Sequence, residues 1–136
     1  AKAFGCEVYA YSRTPKEIEG VKFVTLEELL SVCDVVSLHV PLNQETTHLI
    51  NKEKLALMKE NAVLINTARG PVVDSEALAE ALNEGKIAGA CVDVFEKEPP
   101  VEKTHPLFHA KNILVTPHIA FENVRAWENG KPQNVM

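Results

Sequence analysis

The residues with chemistry to offer gather at the ends of apolar runs. Ser12 and Arg13 close "CEVYAYS" (6–12), and His39 nearly closes "DVVSLHV" (34–40). Thr67, Ala68 and Arg69 close "AVLINTA" (62–68), Asp93 stands near the end of "IAGACVDVF" (87–95), and His118 follows "NILVTP" (112–117). An arginine offers a planar, permanently charged fork that grips a carboxylate through two hydrogen bonds. A histidine can give or take a proton near neutral pH. Taken singly, each has a plainer reading: Arg69 as a surface charge, Asp93 as a solvated strand end, His118 as a packed loop residue. Their convergence on strand exits is what argues for a site.

The elements that must position them follow from periodicity. The five apolar runs read as β-strands. "TLEELLSVC" (25–33) reads as a helix with Thr25 as N-cap and Glu28 completing a capping box. "KEKLALMKE" (52–60) reads as a short helix. "DSEALAEALNEG" (74–85) carries apolar residues at Ala77, Leu78, Ala81 and Leu82, with Gly85 as the C-terminal stop. Apolar strands alternating with helices predict an α/β fold, a doubly wound parallel sheet covered on both faces. In such sheets ligands bind outside the carboxyl ends of the strands, where the chemistry here is concentrated. The longest irregular stretch, 96–112, is long enough to suggest a functional loop.

Bulk properties narrow the classes. The chain has 136 residues, suited to one domain, with 46% hydrophobic and 24% charged residues. A net charge of −5 argues against nucleic acid or an anionic membrane as partner. No apolar run approaches the roughly 20 residues that span a bilayer, and the first residues do not read as a signal peptide. Cys6, Cys33 and Cys91 have no metal-ligand spacing; each sits in an apolar segment and reads as a buried free thiol, with the cytoplasm as the expected compartment. No metal site is expected.

The phrases "LHVPLNQETTHLIN", "LINTARGPVVDSEALAEALNEGKIAGACVDVFEKEPP" and "ILVTPHIA" resemble, in order and spacing, the nucleotide-binding domain of the D-isomer-specific 2-hydroxyacid dehydrogenases. Within that family the likeness leans toward D-lactate dehydrogenases and hydroxypyruvate and glyoxylate reductases. The resemblance implies a Rossmann-type fold and hydride transfer between a nicotinamide cofactor and a 2-oxo or D-2-hydroxy acid. It names Arg69, Glu98 and His118 as the catalytic set: a substrate clamp, a carboxylate that orients and charges the imidazole, and the acid-base group. Asp93 matches the residue that meets the nicotinamide carboxamide, and His39, Val40 and Pro41 match a turn that lines the cofactor. Thr46, Thr67, Ala68, Arg69, His118 and Ala120 complete the implied cofactor surface. His48, His105 and His109 match no catalytic position and are expected to be structural or solvent-facing. The family also implies a homodimer for the full-length parent.

Two departures qualify the resemblance. Where members that use NAD usually end the second strand of the fold in an acidic residue, this chain has Ser12 followed by Arg13. That pair would accept a 2′-phosphate, which favours NADP(H), with NAD as the alternative. None of the six glycines falls in a G-x-G-x-x-G turn. The expectation is therefore an incomplete Rossmann domain over 1–121, lacking the first strand, the phosphate turn and the substrate domain. A closing helix or tail over 122–136 is expected beyond an internal gap near Phe121 and Glu122. Such a fragment is expected to turn over no substrate by itself. The competing reading is a non-catalytic dinucleotide-binding module of the corepressor type. Formate or phosphite oxidation fits less well, because Glu98 supports a Glu-His pairing where formate dehydrogenases use Gln-His.

Overall fold

A computed structural model describes residues 1–14, 16–97 and 101–120. The strands are β1 (Val8–Ala10), β2 (Val21–Phe23), β3 (Val35–Leu38), β4 (Val63–Asn66), β5 (Gly89–Val92) and β6 (Ile113–Val115). The helices are α1 (Leu26–Val32), α2 (Lys52–Leu55) and α3 (Ser75–Asn83). All strand pairings are parallel, as expected for a doubly wound fold.

The helix signals act as read, except that Thr25 makes a simple N-cap: the hydrogen bonds of the described residues do not include a return bond from Thr25 N to the Glu28 carboxylate. The Thr25 hydroxyl accepts from Glu28 N at 3.2 Å and starts α1. Asp74 accepts from Ala77 N at 3.0 Å and starts α3. At the other end Gly85 takes φ +71, a left-handed turn that costs glycine no Cβ clash. Gly85 N donates to Leu82 O and Lys86 N to Ala81 O, the paired bonds of a Schellman stop. The run 52–60 folds differently from expectation. α2 ends at Leu55, and Leu57 and Met58 donate three residues back, so the helix tightens into a turn.

Two further findings correct the sequence reading. First, β2 was not foreseen: three residues, Val-Lys-Phe, are too short to show alternation. It pairs with β1 as a separate two-stranded sheet beside the four-stranded sheet β3-β4-β5-β6. The break between β1 and β3 falls where the 3-2-1-4-5-6 strand order places its first strand, which has no counterpart among these residues.

Second, the four-stranded sheet is covered on one face only, among the described residues. Register puts Val36, Leu64 and Ala90 on one side with Leu38, Asn66 and Val92, all buried. α1 packs on α2 and α2 on α3, and their Leu30, Leu55, Leu78 and Leu82 share that core. The opposite face carries Val35, Ser37, Ile65, Cys91 and Leu114, with Val35 59% and Leu114 61% exposed. This also corrects the thiol reading. Cys6 is exposed before β1, Cys33 is half-buried at the end of α1, and Cys91 is half-buried on the open face. Burial pushes the Cys33 thiol up, with Asp34 adding to the rise.

Candidate functional site

The site grows from the last residue of β4. Asn66 is 1% exposed, and a buried amide needs partners. Its Oδ1 accepts from Ala68 N at 3.1 Å, and its Nδ2 donates to Arg69 O at 3.1 Å. These bonds curl Thr67 and Ala68 into a turn and throw Arg69 outward in extended backbone (φ −152, ψ 142). The exposed guanidinium donates from Nη1 to Ala68 O at 2.6 Å. Gly70 then packs against the Phe95 carbonyl and Glu96 N, where any Cβ would collide with backbone. On the far side, His48 N donates to Pro71 O at 2.8 Å and Ile50 N to Val72 O at 3.1 Å. The Arg69 turn is thus held from two directions by backbone.

The same Asn66 reaches the next strand: its carbonyl accepts from Asp93 N at 3.0 Å, and the Asp93 carbonyl accepts from His118 N at 2.9 Å. Three strand exits are therefore joined in series. Asp93 is buried, and its carboxylate accepts from the Thr116 hydroxyl, from Ile119 N at 2.9 Å and from Ala120 N at 2.8 Å. Burial alone would raise its pKa. The Thr116 hydroxyl, the two N–H groups and His118 outweigh burial and hold it below the ordinary carboxylate value. The bonds wrap the turn around His118, which takes φ +55, a left-handed conformation that non-glycine residues seldom adopt. Half-buried His118 borders an apolar cavity of about 310 Å³ with Phe95, Val101, Phe108, Val115 and Pro117. Thr67, Asp93, Thr116 and Ala120 share a smaller one of about 100 Å³.

The cofactor residues expected toward the other end of the sheet also come together. Ser12, Arg13, His39, Val40, Pro41 and Thr46 all border the break between β1 and β3, a space of about 500 Å³ at the place of the first strand in the 3-2-1-4-5-6 order. The loop after β3 is ordered by its own side chains. Thr46 Oγ1 donates to Pro41 O at 2.7 Å, and Asn43 Oδ1 accepts from Glu45 N and Thr46 N. His39 Nε2 lies 2.9 Å from Ser37 Oγ. Arg13 pairs with Glu45 at 3.0 Å in an open setting.

Glu98 lies outside the described residues, as do 121–136, which include the expected gap and tail. Asn66 and Thr116 were not singled out from sequence. The available signal was a polar residue ending an apolar strand just before a turn, which must find hydrogen-bond partners if buried. Among the described residues, no cluster of His, Cys, Asp or Glu could hold a metal ion. No helix there is long and apolar enough to cross a membrane.

Residues 1–120 match the family model described as "D-isomer specific 2-hydroxyacid dehydrogenase, NAD binding domain". A glyoxylate reductase of Thermofilum pendens is 55% identical over 109 residues, covering 80% of this chain and 32% of that protein. The structure of D-lactate dehydrogenase from Aquifex aeolicus, complexed with NAD and lactic acid, superposes with a TM-score of 0.83. It is 39% identical and covers 93% of this chain and 43% of the other. A D-isomer specific 2-hydroxyacid dehydrogenase from Xanthobacter autotrophicus Py2, in complex with NADPH and MES, gives 0.79 at 42% identity, covering 94% and 59%. The chain spans about a third of the length of the curated relatives it matches.

Proposed function

The chain belongs to the D-isomer specific 2-hydroxyacid dehydrogenases, as part of their NAD binding domain, and from that premise we propose that it carries one wall of an active site. The enzyme would move hydride between a nicotinamide cofactor and a 2-oxo acid or its D-2-hydroxy acid. The observation that carries this reading is the hydrogen-bonded series from Asn66 through Asp93 to His118, which ties the Arg69 turn and the His118 turn to neighbouring strand exits.

The residues present fit the two ends of a dinucleotide. Ser12 and Arg13, just beyond the end of β1, suit an adenosine ribose or its 2′-phosphate, and the Asp93–His118 end suits the nicotinamide. The turn that would cradle the pyrophosphate has no counterpart among the six glycines. When bound, the nicotinamide supplies or accepts the hydride. Arg69 holds the substrate carboxylate with one arm of its fork and polarises the carbonyl oxygen with the other. His118 gives that oxygen a proton in reduction and takes one from the hydroxyl in oxidation. Glu98 steadies the charged imidazole. Asp93 keeps His118 in its left-handed turn, and its carboxylate would accept from the carboxamide N–H when the cofactor is bound.

Arg13 favours NADP(H) over NAD, and the relatives named as glyoxylate reductases make glyoxylate the first substrate to try. The active form is a homodimer of the complete chain. The test is reduction of glyoxylate, hydroxypyruvate and pyruvate with NADPH and NADH, using these 136 residues and a full-length enzyme that contains them. The expected result is turnover of 2-oxo acids by the full-length enzyme and less than about 1 per second for the shorter chain alone, an ordinary rate being the reference. Cofactor binding by the full-length protein with no turnover of any 2-oxo acid would favour the corepressor-type module instead.

A further inference from the structure

Glu96 belongs to a second polar cluster, beside the strand-exit network. Its side chain is one-third exposed (33%), and both carboxylate oxygens are engaged. Oε1 accepts from the Ser75 hydroxyl, and Oε2 lies 2.9 Å from His105 Nε2. Ser75 is the first residue of α3 and is buried. His105 caps the 3-10 turn Pro106–His109, where its Nδ1 accepts from Leu107 N at 3.3 Å. A ring nitrogen that accepts carries no hydrogen, so the hydrogen of neutral His105 sits on Nε2 and points at Glu96. The ring is fixed in that attitude by Phe95, edge-on at 5.1 Å between centroids, and by Phe108 at 5.9 Å. Burial pushes the Glu96 carboxyl up, but the Ser75 hydroxyl and the His105 ring hold it below its ordinary value, so it is an acceptor at neutral pH.

One carboxylate thus binds three elements: the start of α3, the exit from β5 and the turn before β6. Glu96 and His105 stand nine positions apart, so their bond closes the base of the loop between β5 and β6. The peptide that joins Phe95 to Glu96 is the surface on which Gly70 packs, one position beyond Arg69. α3 in turn starts five positions after Gly70. Any slip of Glu96 would therefore be felt at the Arg69 turn from both ends.

We infer that Ser75, Glu96 and His105 form a positioning clamp that sets the Arg69 turn against the exit of β5. The clamp touches no substrate; it acts through Arg69, and so its catalytic consequence rests on the dehydrogenase reading above. Glu98, the carboxylate implied by family resemblance, follows Glu96 by two positions in the sequence.

The variants are Glu96→Ala, which removes both acceptor oxygens, and His105→Phe, which keeps a ring but loses the bonds to Glu96 and Leu107 N. In the 136-residue chain, amide exchange at Val72 and Val73, whose N–H groups bond Arg69 O and Gly70 O, should quicken about tenfold. Exchange at Val63, in the core ladder, should stay unchanged. In the full-length enzyme, kcat should fall about tenfold with KM for the nicotinamide cofactor unaltered. Glu96→Ala combined with Arg69→Lys should cost clearly less than the product of the single losses, a coupling that a merely stabilising residue would not produce. Unchanged exchange at Val72 and Val73, or strictly multiplicative losses, would overturn the clamp. If Val63 also quickens, Ser75→Ala takes the place of the first two variants, and the same two outcomes uphold or overturn the clamp. A full-length wild type that reduces no 2-oxo acid would sink the dehydrogenase reading, and amide exchange would still decide the clamp.

Discussion

Arg69 and Arg13 both follow a parallel strand, and both present a guanidinium to solvent, yet the backbone beneath them differs. Under Arg69 a buried asparagine, a glycine pressed on a neighbouring backbone and two ladder bonds from residues 48–50 fix the turn. Arg13 has a short strand behind it and one ion pair, with side chains 81% and 70% exposed for Arg13 and Glu45. Such a pair contributes little to stability, about 0–1 kcal/mol. Order at the first arginine is built before any ligand arrives. At the second, a ligand must create it. That is the contrast the proposed roles require, Arg69 meeting a transition state in a fixed geometry and Arg13 recognising a remote phosphate.

The sharpest test is Arg69→Ala in the full-length enzyme. Losing a charge-assisted, two-pronged grip on the substrate should lower kcat/KM for glyoxylate about 10³-fold. Arg69→Lys should recover only part, because an ammonium cannot reproduce the fork. Steady-state kinetics decides this, and a loss below about tenfold would erase the distinction between the two arginines.

Next comes the support beneath Arg69. Asn66→Ala strands the Ala68 N–H in a buried turn and takes one of two donors from the Arg69 carbonyl, which keeps its bond from Val72 N. An unsatisfied buried donor costs about 1–3 kcal/mol, so the loss should be about 1 kcal/mol or more in urea unfolding. The corresponding truncation beneath Arg13, Ser12→Ala, should be silent in the same measurement, since Ser12 is exposed.

These two positions also show what could be read in advance. Caps at Thr25, Asp74 and Gly85, the strands other than β2 and their parallel arrangement follow from local chemistry and apolar periodicity, and the structure contains them. That one face of the sheet is uncovered among the described residues does not follow, because Val35, Cys91 and Leu114 look as apolar as Val36 and Leu64. Sequence records that a side chain avoids water, whereas the covering partner is a matter of tertiary context. Asn66, Thr116 and Glu96 were hidden for the opposite reason: a polar residue at a strand exit reads as solvated until its partners, distant in sequence, are known. Glu96 reaches Ser75 across 21 positions, and Thr116 reaches Asp93 across 23. Ser12, Arg13, His39 and Thr46 are named for the cofactor by resemblance alone, and in the structure all four border the break between β1 and β3.

Acid should separate the two ends further. The Asp93 carboxyl lies below the ordinary aspartate value of 3.8 in the folded chain, so its ionised form stabilises the fold at pH values above 3.8. That contribution is lost as pH falls through the lower, folded value. Comparing wild type with Asp93→Asn by urea unfolding, the gap between them should be widest near neutrality and should narrow on acidification below 3.8. A gap that stays constant with pH would mean that the carboxylate's charge contributes nothing to holding the His118 turn.

The smaller effects belong to the Arg13 end. Arg13→Ala should raise KM for NADPH about tenfold and leave that for NADH almost unchanged, since only the 2′-phosphate would be addressed by that guanidinium. Glu45 sharpens the point. In the structure it occupies Arg13 at 3.0 Å, and a 2′-phosphate would have to displace it or share the guanidinium with it. Glu45→Gln removes a like charge from the phosphate's neighbourhood while keeping the shape of the side chain. NADPH binding, followed by fluorescence titration, should therefore tighten two- to fivefold, on the order of 0.4–1 kcal/mol. NADH binding and unfolding should move by less than about 0.5 kcal/mol, because an exposed pair contributes that little to the fold. Equal tightening for both cofactors would mean that Glu45 repels the shared pyrophosphate and not the 2′-phosphate, and Arg13 would then lose its standing as the residue that separates them.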